Sequence, residues 1–330
     1  MKNRVFRIIP LLMAVLMLTS CGGKDVETQN EVKELSIAAL KDGKYEEALA
    51  GFDEALGYAG GRVTAREIDI CYYKAVAQYR LDDVAGACET LDNVIAYDEK
   101  NADAYYLRGS IYLSEGEYDK ALADYRSSIA ASPGDYERVI QVFSDLNANG
   151  QRESGLSIVS AALSSIGDTD EDQLWRGRLY IILEQYDNAM ESLTKSSGAG
   201  FAEADVYLGQ VLVQQGDRDG AIQKLSAYVL SDAPTAEGLA TAGEQYMQLE
   251  EYESANDCFE KAIAYYNTED EKEKPKDLSQ ETYRRLLGDR VAACEFMGEW
   301  DEALAHAREY IGLYPQDERM LKEIKFLASR

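Results

Sequence analysis

One pattern recurs along the chain as GKYEEALAGFDEAL (43–56), GEYDKALADYRSSI (116–129), EQYDNAMESLTKSS (184–197) and EEYESANDCFEKAI (250–263). In each copy an aromatic residue stands three positions before a small residue, which allows two helices to pack closely. Aligning the whole chain on that small residue, called the anchor below, gives eight copies. The anchors are Ala48, Ala87, Ala121, Gly155, Ala189, Ala221, Ala255 and Ala303.

The steps between successive anchors are 39, 34, 34, 34, 32, 34 and 48 residues. A recurring period of this length indicates a repeat protein, in which each unit packs on its neighbours. In the third unit, Tyr105, Gly109 and Tyr112 have the i, i+4, i+7 spacing of one helix face. After a turn, Tyr118 and Ala121 begin a second helix. Each unit is therefore predicted to be a pair of helices.

These residues resemble the tetratricopeptide-repeat family, whose motif combines glycine or alanine, tyrosine and a second alanine at fixed offsets. The resemblance covers about 29–316 and implies an all-α fold: a right-handed α-solenoid of about eight helix-turn-helix repeats with a C-terminal capping helix. The departures from the motif are Lys74 and Gln78 in the second unit, Phe143 at a usual glycine position, and Gly155 at a usual alanine.

The same alignment predicts the domain organisation. A signal peptide (1–20) and a tether (21–28) precede the solenoid (29–330). The two long steps place a loop at 57–62 and an insertion near 267–280, which is charged and contains proline. The units are expected near 29–62, 68–101, 102–135, 136–169, 170–201, 202–235, 236–268 and 284–317, with the cap at 318–330.

The first twenty residues read as an export signal. Lys2, Arg4 and Arg7 precede a short apolar run, and Leu-Thr-Ser-Cys closes it at Cys21. This ending resembles the lipobox of bacterial lipoproteins, which implies cleavage before Cys21 and acylation of that cysteine with chains such as palmitate. The implied location is the extracytoplasmic face of a bacterial cell membrane, held by lipid alone. An ordinary signal peptide with a chance cysteine is the alternative.

Charge excludes one class of partner. The chain has 60 acidic residues against 34 basic ones, a net charge of −26. Nucleic-acid binding depends on cations that meet phosphates, so no nucleic-acid partner is expected. A basic partner is compatible with this charge, although solubility alone also explains an acidic surface.

Four cysteines follow Cys21, and free thiols are favoured for all of them. Cys71 and Cys88 should be offset by roughly 10 Å along antiparallel helices, beyond the ~7 Å Cα limit for a disulfide. Cys258 and Cys294 fall in consecutive units, so a bridge between them stays open.

Catalytic motifs are absent from the sequence. Only one histidine, His306, is available for near-neutral proton transfer or metal binding. No nucleophile elbow, phosphate-binding loop or His-Glu-x-x-His motif occurs. The acidic run 168–172 lacks the glycine and terminal glutamate of a calcium loop. We therefore expect no enzyme, no cofactor and no metal site.

The resemblance also places a binding groove, because first helices of successive repeats line the concave face in this family. Inter-helix packing is the alternative role for each of these side chains. The predicted groove residues are Tyr72, Val76, Tyr79, Tyr106, Ser110, Leu113, Leu174, Arg178 and Val206.

A second regularity is an acid at the second position of six units. Such a row could form an acidic rim that contacts basic residues of a partner. The alternative is stabilisation of each helix by a carboxylate in its first turn. The rim residues are Asp69, Asp103, Glu137, Glu171, Glu203 and Glu237.

Together these features predict a membrane-anchored scaffold that binds a protein or peptide partner and serves assembly of an envelope complex. The alternative is a ligand-capture lipoprotein that binds a glycan or a peptide for uptake.

Overall fold

The computed structural model describes residues 9–232, 234–267 and 280–330, and of residues 9–24, 280 and 281 it describes only the helical backbone. The described residues form helices and turns without a β-strand. The all-helical repeat fold is thereby confirmed. The chain divides into unit 1 (1–158) and unit 2 (159–330), and the division falls within one helix.

Unit 1 consists of helices joined by short turns. They are α1 (Ile9–Lys41), α2 (Tyr45–Gly57), α3 (Ala65–Arg80), α4 (Val84–Tyr97), α5 (Ala102–Ser114), α6 (Tyr118–Ala131), α7 (Tyr136–Ala148) and most of α8 (Arg152–Leu163). Within this unit α1 packs on α2, α3 on α4, and α5 on α6.

Unit 2 continues the alternation of first and second helices. They are α9 (Asp170–Ile182), α10 (Tyr186–Gly198), α11 (Glu203–Gln215), α12 (Arg218–Val229), α13 (Ala236–Gln248), α14 (Tyr252–Tyr266), α15 (Gln280–Met297), α16 (Trp300–Leu313) and α17 (Glu318–Leu327). Each first helix packs on the second helix that follows it, and α17 packs on α16.

A left-handed residue marks the turn inside every pair. A residue with a positive φ lies five residues before each of the eight anchors. The residues are Gly43, Asp82, Gly116, Gly150, Glu184, Gly216, Glu250 and Gly298. This conformation ends the first helix and reverses the chain. The interval of five holds even where the step between pairs is 39 or 48 residues. The extra residues therefore lie outside this turn, in the joints between pairs and in the longer first helices α3 and α15.

Small residues permit the close approach of paired helices. A Cβ added to Gly243 on α13 would lie 2.4 Å from the ring of Phe259 on α14. The fourth pair reverses this arrangement, because Phe143 occupies the first helix and Gly155 the second. A Cβ on Gly155 would lie 2.9 Å from the Phe143 ring. The two departures from the motif therefore compensate each other.

The N-terminal helix differs from its sequence prediction. Helix α1 runs through 21–28, where Gly22 and Gly23 predict a tether. Its buried Gln29 donates from Nε2 to the carbonyl of Ala55 at 3.0 Å and to Glu67 Oε1 at 2.9 Å. These long-range bonds fix α1 to α2 and α3. Residues 1–8 of the predicted signal peptide and the side chain of Cys21 lie outside the described residues.

The cysteines and the C-terminus complete the fold. Cys71, Cys88, Cys258 and Cys294 are free thiols, the last two buried and the first two half-buried.

Most of the predicted insertion, 268–279, lies outside the described residues. Helix α17 lies where a cap is predicted, and Asp317 caps its N-terminus while accepting a 2.7 Å bond from the Tyr310 hydroxyl. No helix in the described part of the chain combines the length and apolar composition needed to span a bilayer.

Candidate partner-binding surface

Two equivalent tyrosines form the centre of the surface. Tyr72 on α3 and Tyr106 on α5 are 34 residues apart, and both are half-buried. Helices α3 and α5 are in contact. Val76, Tyr79 and Ser110 on the same helices are also partly exposed. We call these five residues (Tyr72, Val76, Tyr79, Tyr106 and Ser110) the tyrosine face.

Hydrogen bonds hold both central rings in place. The Tyr72 hydroxyl donates to Asn101 Oδ1 at 2.6 Å. Asn101 is itself fixed, because it caps α5 by accepting from the Ala104 amide at 2.8 Å. The Tyr106 hydroxyl donates to Asp145 Oδ2 at 2.7 Å. Each ring is therefore oriented before any partner arrives, which reduces the entropy lost on binding.

Asp145 is shared by a second tyrosine. The buried Tyr125 also donates to Asp145 Oδ2, at 3.3 Å, and its hydroxyl lies 3.2 Å from Ser110 Oγ. Burial, and then the charge of Asp145, raise the pKa of Tyr106 far above its ordinary value. Burial likewise raises the pKa of Tyr125. Both hydroxyls therefore stay protonated and act as donors at physiological pH.

A guanidinium covers one side of Tyr106. The Arg138 guanidinium carbon lies 4.9 Å from the centre of the Tyr106 ring, within the range of a cation–π contact. Arg138 Nη2 also lies 2.5 Å from Asp103 Oδ1, so one rim acid is neutralised by a cation of the next first helix. The sequence motif did not identify Asn101, Asp145 or Arg138, because none occupies a groove position of the family.

Four of the predicted groove residues are buried in the structure. Leu113 on α5 is 4% exposed, Leu174 on α9 is 5% exposed, and Val206 on α11 is fully buried. Arg178 on α9 is 6% exposed. None of these side chains presents a surface to a partner in this conformation, because neighbouring helices cover them.

Arg178 is held inside unit 2 by specific contacts. Its guanidinium carbon lies 4.5 Å from the ring centre of Trp175 and 4.8 Å from that of Tyr207. Its Nη2 donates to Glu237 Oε1 at 2.9 Å. The side chain thus joins α9, α11 and α13.

The rim acids divide into two groups. Asp69 pairs with Lys33 Nζ at 2.6 Å, and, as described above, Asp103 and Glu237 pair with arginines of other first helices. Glu203 accepts a long 3.5 Å bond from the Tyr207 hydroxyl. Glu137 and Glu171 are exposed. Three of the six predicted rim residues therefore link first helices to each other.

Metal binding requires a close group of ligating side chains. Among the described residues no three histidine, cysteine or acidic side chains are grouped closely enough to hold a metal ion. The surface offers rings, hydroxyls and carboxylates, which suit reversible binding.

Comparison with known proteins agrees with the repeat assignment. A family model of the tetratricopeptide repeat matches residues 72–136 in unit 1, and a second matches residues 173–198 in unit 2. The chain therefore carries tetratricopeptide repeats in both units, and this part of the resemblance is confirmed.

Individual similarities are distant. The BBSome complex member BBS4 of Bos taurus is 24% identical over 58% of this chain and 35% of that protein. The DnaJ homolog subfamily C member 3 of Gallus gallus is 26% identical over 46% of this chain and 32% of that protein. The chain thus spans about a third of the length of these relatives. A solved tetratricopeptide repeat protein from Parabacteroides merdae ATCC 43184 has 16% identity and a TM-score of 0.44, covering 80% of this chain and 99% of that one.

Proposed function

We propose that the protein is a scaffold that binds a protein or peptide partner on the tyrosine face of unit 1. The observation that carries this proposal is the pair of half-exposed rings, Tyr72 and Tyr106, each fixed by a hydrogen bond from its hydroxyl. The repeats matched in both units support it, because stacked helix pairs provide extended binding surfaces.

The chemistry of the face fits a peptide segment. A tyrosine ring supplies apolar contact area at low entropic cost, since it has only two side-chain torsions to restrict. Asp69 and Asp103 lie on the same first helices as these rings, and both are well exposed, by 41% and 59% of the side chain. An extended segment that contains apolar residues matches the rings, and its polar groups can contact these carboxylates, which are already paired with Lys33 and Arg138.

We further propose that the chain is displayed on the extracytoplasmic face of a bacterial cell membrane through lipid on Cys21, where it serves assembly of an envelope complex. The Leu-Thr-Ser-Cys ending at Cys21 supports this step. The test is a Cys21→Ser variant, which should shift the protein from the membrane fraction to the soluble fraction and remove the acyl mass from its N-terminal peptide. A variant that stays in the membrane fraction would overturn the anchor.

The partner experiment is crosslinking of the protein in its native membranes, followed by mass spectrometry. The expected result is a recurrent protein crosslinked within 72–113 and lost in a Tyr72→Ala/Tyr106→Ala variant. The matched control is Tyr118→Ala, which removes a tyrosine that is 41% exposed on a second helix. An unchanged set of partners in the double variant would overturn the proposal.

The same rings would also stack on a sugar, which is the capture function considered above. Binding to a glycan array that depends on Tyr72 and Tyr106, with no protein recovered by crosslinking, would replace the scaffold by a capture lipoprotein.

A further inference from the structure

Unit 1 contains a pocket that the repeat motif does not require. It lies where the loop after α2 faces α3 and α4, and the loop supplies Ala59, Gly61, Arg62 and Val63 to its lining. This loop and the long helix α3 (16 residues) together lengthen the first step between anchors to 39 residues. The pocket is therefore a product of the added residues, and we call it the loop pocket.

The interior of the loop pocket is apolar. Leu56, Ile68 and Val94 line it. Its volume is about 310 Å³. This is near the lower end of the size of ligand pockets, which start at about 300 Å³. An apolar chain or ring of about ten heavy atoms fits that space.

The mouth of the loop pocket exposes apolar surface. Val63 is 45% exposed and Tyr97 is 61% exposed. The Tyr97 hydroxyl donates to the carbonyl of Val63 at 3.2 Å, which fixes the ring at the mouth. Exposed apolar side chains next to a cavity are typical of a binding site.

The polar groups of the lining favour an anionic head group. Glu67 is occupied, since its Oε2 accepts from the Thr64 amide at 2.7 Å and its Oε1 accepts from Gln29. Although burial acts in the opposite direction, the hydrogen bonds from Thr64 and Gln29 hold its pKa below the ordinary value. Arg62 and Asn93 are exposed residues of the lining, and no hydrogen bond or ion pair joins either side chain to another described residue. Arg62 is the sole basic residue of the lining.

We infer that the loop pocket binds a small amphipathic carboxylate, with its apolar chain inside and its carboxylate on Arg62 and Asn93. One guanidinium and one amide are enough donors for a single carboxylate. They leave few lining side chains for the repeated amide groups of a peptide, so a fatty-acid-like molecule fits better. This site is separate from the tyrosine face and does not depend on the proposed scaffold function.

Cys71 provides a reporter, because it is the cysteine of the lining of the loop pocket. Burial raises its pKa, so labelling with N-ethylmaleimide is best followed near pH 9. Decanoate below its micelle concentration should protect Cys71 and leave Cys88, a half-buried thiol outside the lining, unprotected. Mass spectrometry of the two peptides measures both in one sample. Equal labelling of Cys71 with and without saturating decanoate would overturn the inference.

Two variants test the geometry. Ala59→Phe should fill the pocket and abolish binding, whereas the control Ala130→Phe, at an exposed position on α6, should not. Arg62→Gln should weaken decanoate binding about tenfold, and Arg80→Gln should leave it unchanged. Decanol lacks the carboxylate. Its affinity for the wild type should therefore be about equal to the affinity of decanoate for the Arg62→Gln variant. Melting temperatures of the variants check that unit 1 is folded.

The identity of the occupant is tested with acetyl-Gly-Phe-amide, a peptide probe that has no carboxylate. Protection by decanoate at lower concentrations than by the peptide supports the amphipathic carboxylate. Stronger protection by the peptide, or an affinity for decanoate that neither Arg62→Gln nor Ala59→Phe changes, would overturn it. Loss of the protein partner in the Tyr72→Ala/Tyr106→Ala variant with decanoate binding intact would show that the two sites are independent.

Discussion

The same repeat positions have opposite roles in the two units. In unit 1, Tyr106 and Ser110 are partly exposed, whereas 68 residues later Leu174 and Arg178 are buried. In unit 2, α11 packs on both α9 and α13, and one apolar core extends from α9 to α16. A family position therefore fixes which helix a residue occupies. The helices that pack around that residue determine whether its side chain is exposed to a partner.

The largest effect that would sharpen this comparison is expected at Arg178. Arg178→Ala should lower the free energy of unfolding by about 2 to 3 kcal/mol, because it leaves Glu237 unpaired and opens a space between two rings. This is below the full cost of a buried pair because Glu237 is partly exposed. The equivalent change in unit 1, Ser110→Ala, should cost less than about 1 kcal/mol. Urea denaturation measures both.

An equal loss of unfolding free energy in Arg178→Ala and Ser110→Ala would contradict the difference between the two units. Glu237→Gln serves as a milder control if Arg178→Ala does not fold, since it removes the charge and keeps the shape.

Thiol reactivity should also separate the units. Burial raises the pKa of Cys258 to about 12 and that of Cys294 to about 11. At pH 8 only about one thiol in ten thousand would be ionised at Cys258, and alkylation needs the thiolate. In the native protein, Cys71 and Cys88 should therefore be alkylated by iodoacetamide at least tenfold faster than the two thiols of unit 2. Equal rates at all four cysteines would show that unit 2 opens readily.

A smaller effect is expected for the hydroxyl that orients the tyrosine face. Tyr106→Phe keeps the ring and removes the 2.7 Å bond to Asp145, so it should cost about 1 kcal/mol of stability and weaken partner binding several-fold. Tyr79→Phe is the control, because the Tyr79 hydroxyl is in no comparable network. A partner affinity that is the same for both variants would contradict the value of a fixed ring.

Substitutions in the acidic rim should change the free energy of unfolding by less than about 1 kcal/mol. Asp103→Asn in unit 1 removes the pair with Arg138 and should lower the melting temperature, with an effect that fades at high salt. Glu171→Gln in unit 2 should change stability by only about 0.3 kcal/mol, because this exposed carboxylate mainly favours the helix N-terminus. A loss of partner affinity in Asp103→Asn without a change in melting temperature would favour direct recognition by the rim.

The last test concerns the turns inside the helix pairs. Glu184 adopts a φ of 58° at a position where five other pairs have glycine. Glu184→Gly should therefore stabilise the protein by about 0.5 kcal/mol, since relief of strain exceeds the entropic cost of glycine. Gly150→Ala should destabilise it by about 1 kcal/mol. Thermal unfolding of both variants checks the signs.

The sequence predicts the helix pairs well because their signals are local. The spacing of the anchors reports contacts between helices that are adjacent in the chain, and the left-handed residue at Gly116 follows from a glycine five positions before Ala121. Such contacts require no knowledge of distant residues.

The exposure of the site could not be predicted in the same way. Whether Arg178 faces a partner or Glu237 depends on residues up to 59 positions away. The bond from Tyr72 to Asn101 and that from Tyr106 to Asp145 span 29 and 39 residues, and no motif encodes them. The helical course of 21–28 was missed for a similar reason, since the glycines suggest freedom while Gln29 is tied to Ala55 and Glu67.

The constant interval of five residues between each left-handed turn and its anchor has a practical consequence for engineering. Length varies outside this interval, in the joints and in the first helices. A joint such as 57–62 is therefore where a foreign sequence can be spliced in while both adjoining pairs keep their register. An epitope or fluorescent domain placed there would report on the protein in living cells. The same insertion between Gly116 and Ala121 would separate a first helix from its second and dismantle the pair.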